Sequence, residues 1–251
     1  PALKVAHVGI VVKDASDIAR DSADIILLNK SLSIIIDGIE QGRSIVVNIS
    51  KYIKATLTSN FGNFYAIVIS TFFIEFLPML PIQILLLNLL SDFPMMSIAT
   101  DKVDNEETQY PTKFDIKKFA SSATILGLVS TAFDLIFFFT FLPYGEKTLQ
   151  TAWFIGSVLT ELLLIYSIRT NKIFYKAKSP SSIIVAFTII ASLSTLLLPL
   201  IGIEKLGFVK FGIKTYLIII FIAIGYFACT EIAKIFYNKS FKFKNKVKII
   251  S

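Results

Sequence analysis

Apolar residues follow two different patterns along this chain. Up to residue 50 they come in short runs broken by polar residues, and from residue 52 they come in blocks long enough to cross a bilayer. Val8–Val12 is an apolar run closed by Lys13–Asp14, as a buried strand requires, and Ile25–Leu28 is a second such run. Between them Ala15, Ile18 and Ala19 recur at helical spacing, with Asp14 or Ser16 placed to cap a helix. Ser31 opens a long amphipathic stretch through Lys51, with Ile35, Ile39 and Ile45 on the apolar side. Strand, helix, strand and helix in that order predict the last piece of a parallel α/β domain. Fifty residues cannot bury a self-sufficient α/β core, so the rest of that domain is expected upstream of Pro1.

The later blocks predict six membrane helices, at about residues 53–76, 80–99, 119–142, 149–168, 180–201 and 214–236. Pro78 and Pro81 predict a tight hairpin between the first two. The predicted fold is therefore mainly α, a polytopic helix bundle over 51–251 preceded by an α/β remnant and stalk helix over 1–50.

Composition sharpens this reading. The chain has 251 residues, 54% hydrophobic and only 17% charged, with 23 Phe, and mean hydropathy is +0.70. Soluble chains carry about 25% charged residues, so a disordered chain is excluded and the composition speaks against a purely soluble domain. The net charge of +7 comes from cations placed between apolar blocks. With residues 1–51 in the cytoplasm, 21 of the 25 Lys and Arg fall on the cytoplasmic side, leaving Lys147, Lys205, Lys210 and Lys214 outside. That bias predicts a multi-pass cell-membrane protein with both termini cytoplasmic, whose partner is the lipid bilayer. Nothing in the pattern forms a basic, aromatic-lined groove, so no nucleic-acid partner is expected. The N-terminus lacks the order of a signal peptide. The single Cys229 excludes an internal disulfide and is expected to be a small buried hydrophobe, while the only histidine, His7, excludes a His-based zinc site and is expected at the surface. Trp153 is expected to anchor at the membrane interface.

Ionisable residues within a bilayer are costly and mark functional sites or paired groups. Asp92, Asp134 and Glu161 are the carboxylates that fall inside spans two, three and four. Span one adds Ser59, Asn60 and Asn63, and span two adds Asn88 and Ser91, each set at spacing that shares one helix face. Oxygen donors with no His or Cys suit a hard cation such as Mg²⁺ or Ca²⁺. Pro94, just after Asp92, is expected to loosen span two there. Asp134 and Glu161 stand equally as site, access path or interhelical hydrogen bond.

The order of these features resembles the C-terminal part of P-type cation-transporting ATPases. Pro1-Ala2-Leu3-Lys4-Val5-Ala6-His7-Val8-Gly9-Ile10 is similar to the residues after that family's Mg²⁺-binding hinge motif. Asp17-Ile18-Ala19 and Ser22-Ala23-Asp24-Ile25-Ile26-Leu27-Leu28 resemble the same HAD-like phosphorylation domain. Asn60-Phe61-Gly62-Asn63 and Asn88-Leu89-Leu90-Ser91-Asp92 resemble its transport spans. Phe76-Leu77-Pro78-Met79-Leu80-Pro81, Asp101-Lys102-Val103-Asp104 and Ser130-Thr131-Ala132-Phe133-Asp134 are most similar to the bacterial magnesium-transporting branch. The calcium branch typically has Glu where Asn63 stands.

The resemblance implies the last six spans of a ten-span pump that uses ATP and Mg²⁺ and moves a divalent cation. It implies Asn60, Asn63, Asn88 and Asp92 as cation ligands, with Ser91 and Glu161 as further candidates. No Asp-Lys-Thr-Gly phosphorylation motif occurs here, so no catalytic or ATP-binding residue is assigned to this chain, and the chain by itself is not expected to hydrolyse ATP. The missing N-terminal part of the pump is its expected partner. The competing readings are a calcium-type tail, a non-catalytic module of a split or degenerate pump, and an ATP-independent transporter or channel.

Overall fold

The computed structural model describes the backbone of residues 1–250 except 30, 32, 113, 114, 202 and 203, and the side chains of those residues except 118, 204 and 239–250. The chain divides into two compact units, Pro1–Ile45 and Val46–Ser251.

In the first unit α1 (Ala2–Val5), β1 (Ile10–Val12), α2 (Asp17–Asp21) and β2 (Ile25–Leu27) precede the start of α3 (Ser33–Ser70). The strands pair in parallel with Ile10 opposite Ile25 and Val12 opposite Leu27. Parallel pairing requires a crossover, which α2 supplies. Ser16 caps α2 by accepting from the Ala19 amide at 3.4 Å. The Asp24 carboxylate accepts from the Gly9 amide at 2.7 Å, fixing the entry to both strands. Neither strand is buried as the apolar runs suggested: β1 is half-buried, and Ile25 and Ile26 of β2 stay open to solvent, because two strands and two short helices cannot cover both faces of a parallel sheet. His7 lies at the surface as expected.

The second unit holds the rest of α3, then α4 (Pro81–Met96), α5 (Asn105–Thr108), α6 (Ile116–Phe141), α7 (Glu146–Ile168), α8 (Ser182–Ile201) and α9 (Ile213–Ile250). Among the described residues five stretches are long and apolar enough to cross a membrane: Pro81–Thr100, Phe119–Tyr144, Glu146–Ile168, Ser182–Ile201 and Ile213–Asn238. They lie where spans two to six were expected. The stretch expected as span one forms the C-terminal part of α3, which ends at Ser70 and falls outside these five. Its interior carries Ser59, Asn60 and Asn63, which dilute its hydropathy.

Pro81 opens α4 at its first turn, where a missing N–H costs nothing. Gln83 closes that end, its Oε1 accepting from the Leu80 amide at 3.1 Å and its Nε2 donating to the Leu206 carbonyl at 3.0 Å. Pro94 does not interrupt the helix, which continues to Met96 before tightening to a 3₁₀ turn at Ser97–Thr100.

α7 is the central helix, buried over most of its length, while the outer spans keep one face open. Phe137, Phe138, Trp153, Phe154 and Tyr226 fill the space between α6, α7 and α9. Gly156 makes this packing possible: a Cβ there would lie 2.4 Å from the Phe137 ring. Gly62 does the same for α3 against α6, where a Cβ would lie 2.7 Å from Ser130. Cys229 is exposed on α9 rather than buried. In a helix whose outer face meets lipid, a small apolar side chain is as well placed outside as inside.

One end of the bundle is tied by charge. Arg169, at the end of α7, grips the Asp101 carboxylate through Nε at 2.8 Å and Nη2 at 3.2 Å. The Ser181 amide adds a third donor to Asp101 at 3.0 Å. Asn48 of α3 donates to the Asp101 carbonyl at 2.8 Å, and Lys51 of α3 pairs with Glu107. Thr170 and the Lys178 amide both donate to Asp104, at 2.7 and 3.1 Å. On α9, Glu231 pairs with Lys234 at 2.6 Å and accepts from the Phe174 amide at 3.0 Å.

Candidate cation site

Three helices bring oxygen-bearing side chains to one point. Ser59 and Asn63 are one turn apart on α3 and therefore face the same way. Both donate to the same atom, Glu161 Oε1 on α7, at 2.5 Å from Ser59 Oγ and 2.9 Å from Asn63 Nδ2. Ser91 and Asp92 of α4 lie close enough to Glu161 to act on its carboxyl group. Thr131 of α6 buttresses this region from behind, donating to the Gly62 carbonyl at 3.3 Å.

The cluster has a closed side and an open one. Ser59, Ser91 and Glu161 are buried and Asn63 half-buried, whereas Asn60, Asn88 and Asp92 are exposed. Of the six residues singled out in the sequence, Asn63 and Glu161 join in one hydrogen-bonded group, with Ser91 buried beside it and Asp92 at its edge. Asn60 and Asn88 flank that group on exposed positions. The two-helix patch foreseen in spans one and two is thus a three-helix arrangement anchored by Glu161. Ser59 completes it; its signal in the sequence was its place four residues before Asn63 on the polar face.

Such a site can take a hard cation. It offers carboxylate, carboxamide and hydroxyl oxygens and no nitrogen or sulfur ligand. Among the described residues no group of three His, Cys, Asp or Glu side chains converges. Glu161 and Asp92 are the two carboxyl groups of this cluster.

Asp134 lies elsewhere. Its Oδ1 accepts from Trp153 Nε1 at 2.8 Å between α6 and α7. Trp153, expected at the membrane interface, is instead 2% exposed inside the bundle. A buried indole N–H needs an acceptor, and Asp134 provides one. The helical periodicity held a clue, since Trp153, Ser157 and Glu161 recur every four residues along one stripe of α7.

The family model described as "Cation transporting ATPase, C-terminus" matches residues 76–236. The chain is 32% identical over 249 residues to the magnesium-transporting ATPase, P-type 1, of Escherichia coli (strain K12), covering 96% of this chain and 28% of that protein. The same-named protein of Salmonella typhimurium (strain LT2) is 33% identical over 251 residues, with the same coverage. A calcium-transporting ATPase of Bacillus subtilis (strain 168) is 28% identical over 182 residues, covering 68% of this chain and 20% of that protein. The chain thus spans a little over a quarter of the length of the curated magnesium-transporting relatives it matches. With a helical membrane unit matched over most of its length, the chain belongs to the C-terminal family of cation-transporting P-type ATPases.

Proposed function

We propose that this chain is the ion-carrying C-terminal part of an ATP-driven pump for a divalent cation, Mg²⁺ being the favoured cargo. The observation that carries the reading is the convergence of Ser59 and Asn63 on Glu161, with Ser91 and Asp92 beside it. In this reading the second half of α3 is a membrane span, making six with the five apolar ones. Residues 1–50 are the end of an α/β, HAD-like phosphorylation domain and its stalk. Both termini then lie in the cytoplasm, as the placement of Lys and Arg favours.

Asn60, Asn88 and Asp92 sit on exposed faces of α3 and α4. There they would meet further spans supplied by the N-terminal part of the pump, and the cargo would bind between them. ATP and its Mg²⁺ would act in that N-terminal part, through an aspartyl-phosphate. Phosphorylation then biases the transport helices between two states. In this reading α3 carries both the stalk and the ligand residues Ser59 and Asn63.

The test is cation-stimulated ATPase activity of the intact pump carrying Asp92→Asn or Glu161→Gln. Loss of a carboxylate ligand should raise the Mg²⁺ concentration for half-maximal activity at least about tenfold, or about 1.4 kcal/mol. Unchanged Mg²⁺ dependence in both variants would refute the assignment of the site.

A further inference from the structure

A second carboxylate in the membrane unit takes no part in the cation cluster. Asp134, in the C-terminal half of α6, is 3% exposed. One oxygen is held by the neutral donor Trp153 Nε1. The other, Oδ2, is buried with no hydrogen-bond partner among the described residues. Among those residues no Lys, Arg or His forms an ion pair with it.

Its surroundings hold negative or neutral groups from each helix packed there. α7 presents Trp153 and, at electrostatic range, Glu161, a group of like charge. α9 presents the fully buried phenol of Tyr226, which lies against Phe133, the residue preceding Asp134. α3 meets α6 through the backbone of Gly62, close to Ser130 and Thr131. Among the described groups facing it, Glu161 is the other carboxyl group and none is a cation.

A bare carboxylate inside a bilayer with one neutral donor costs several kcal/mol. A buried acceptor without a donor adds to that cost. A metal ion needs several converging ligands and room, yet Phe137, Phe138, Trp153 and Tyr226 fill the neighbourhood as fully buried side chains. A proton needs neither. Once on Oδ2 it removes the charge, and it turns an orphan acceptor into a donor. Ser157 Oγ, one helical turn along α7 from Trp153, is itself a buried oxygen without a partner.

We propose that Asp134 is a proton-binding site of the membrane unit, separate from the cation ligands. It is a neutral carboxylic acid whose proton is on Oδ2 and whose carbonyl oxygen Oδ1 is held by Trp153. The inference rests on Asp134 and its neighbours alone, and it stands whichever cation the pump carries.

Infrared spectroscopy of the purified full-length protein in lipid bilayers tests it at neutral pH. A protonated carboxyl gives a C=O stretch well separated from carboxylate bands. That band should move on aspartate ¹³C labelling and vanish in Asp134→Asn. Trp153→Phe removes the donor to Oδ1, so the band should persist and rise in frequency. The second variant keeps the test decisive should Asp134→Asn fold poorly. Absence of an aspartate carboxyl band in the wild type, or a band that neither substitution alters, would overturn the proposal.

Discussion

Replacing Arg169 with methionine should cost the membrane unit about 3–5 kcal/mol, the range for removing one partner of a buried ion pair. The magnitude follows from what each group would lose. Arg169 is 4% exposed and Asp101 7%. The guanidinium supplies two of the three hydrogen bonds that reach the Asp101 carboxylate, the third coming from the Ser181 amide. Its Nη1 also donates to the Lys178 carbonyl at 2.8 Å. After Arg169→Met, Asp101 Oδ2 loses its donor and Oδ1 keeps only the Ser181 amide, so a charged carboxylate stays buried and under-satisfied. Arg169→Lys keeps the charge but not the two-pronged fork, and should cost less. The double variant Asp101→Leu/Arg169→Met removes both charges and should recover most of the loss, because a well-packed apolar pair avoids desolvating two ions. Denaturant midpoints of the purified protein, compared across this double-mutant cycle, give the coupling directly. A loss below about 1 kcal/mol in Arg169→Met, or a double variant as unstable as the sum of the singles, would refute the reasoning.

Two further outcomes follow from the packing and the charge network. Gly156→Ala puts a methyl group into the Phe137 ring, whose atoms lie 2.4 to 2.8 Å from the new Cβ. Overpacking of this kind costs about 1–3 kcal/mol, so the thermal midpoint of the variant should fall, and an unchanged midpoint would mean that α6 and α7 are less tightly apposed. Burial would raise the Asp104 carboxyl, but the hydrogen bonds from Thr170 and the Lys178 amide, with the charges of Lys172 and Lys51, hold it below the usual carboxylate value. A carboxyl lowered on folding adds stability above its unfolded value, about 3.9, and that contribution disappears as pH falls through the folded value. Thermal midpoints measured from neutral to acid pH should therefore decline less steeply in Asp104→Asn than in the wild type, and parallel curves would count against it.

The sequence made the membrane helices legible because each is a long apolar block, and spans two to six need only length and hydropathy to be found. The strand positions at 8–12 and 25–28 were equally plain, since short apolar runs between polar turns have few other solutions. Their exposure was not legible, because burial depends on what else covers a sheet. Trp153 was misplaced for a related reason. An aromatic near a span end has two ordinary homes, the interface and a buried acceptor, and only the partner, Asp134 on the preceding helix, decides between them. Cys229 shows the same limit: hydropathy does not tell which face of α9 turns outward.

The candidate cation site was readable as residue types and unreadable as geometry. Helical spacing put Asn60 with Asn63 and Asn88 with Ser91 and Asp92, but it carried no information on how far α7 reaches between those faces. Glu161 was therefore left between three roles, although it is the acceptor shared by Ser59 and Asn63, with Ser91 beside it. The residues that make α3 useful at this site also make it a poor match to a simple membrane helix. Two asparagines and a serine within five residues lower its hydropathy, while α8, with no charged residue among its described positions, is apolar throughout. A helix that offers oxygens to an ion, as proposed for α3, cannot also be the most lipid-like helix in the bundle. Ser59 and Asn63 find their acceptor in Glu161, and Gly62 lets α6 close over the backbone of α3. The weakest membrane signal in such a chain is thus a pointer to the site, and hydropathy and chemistry have to be read together.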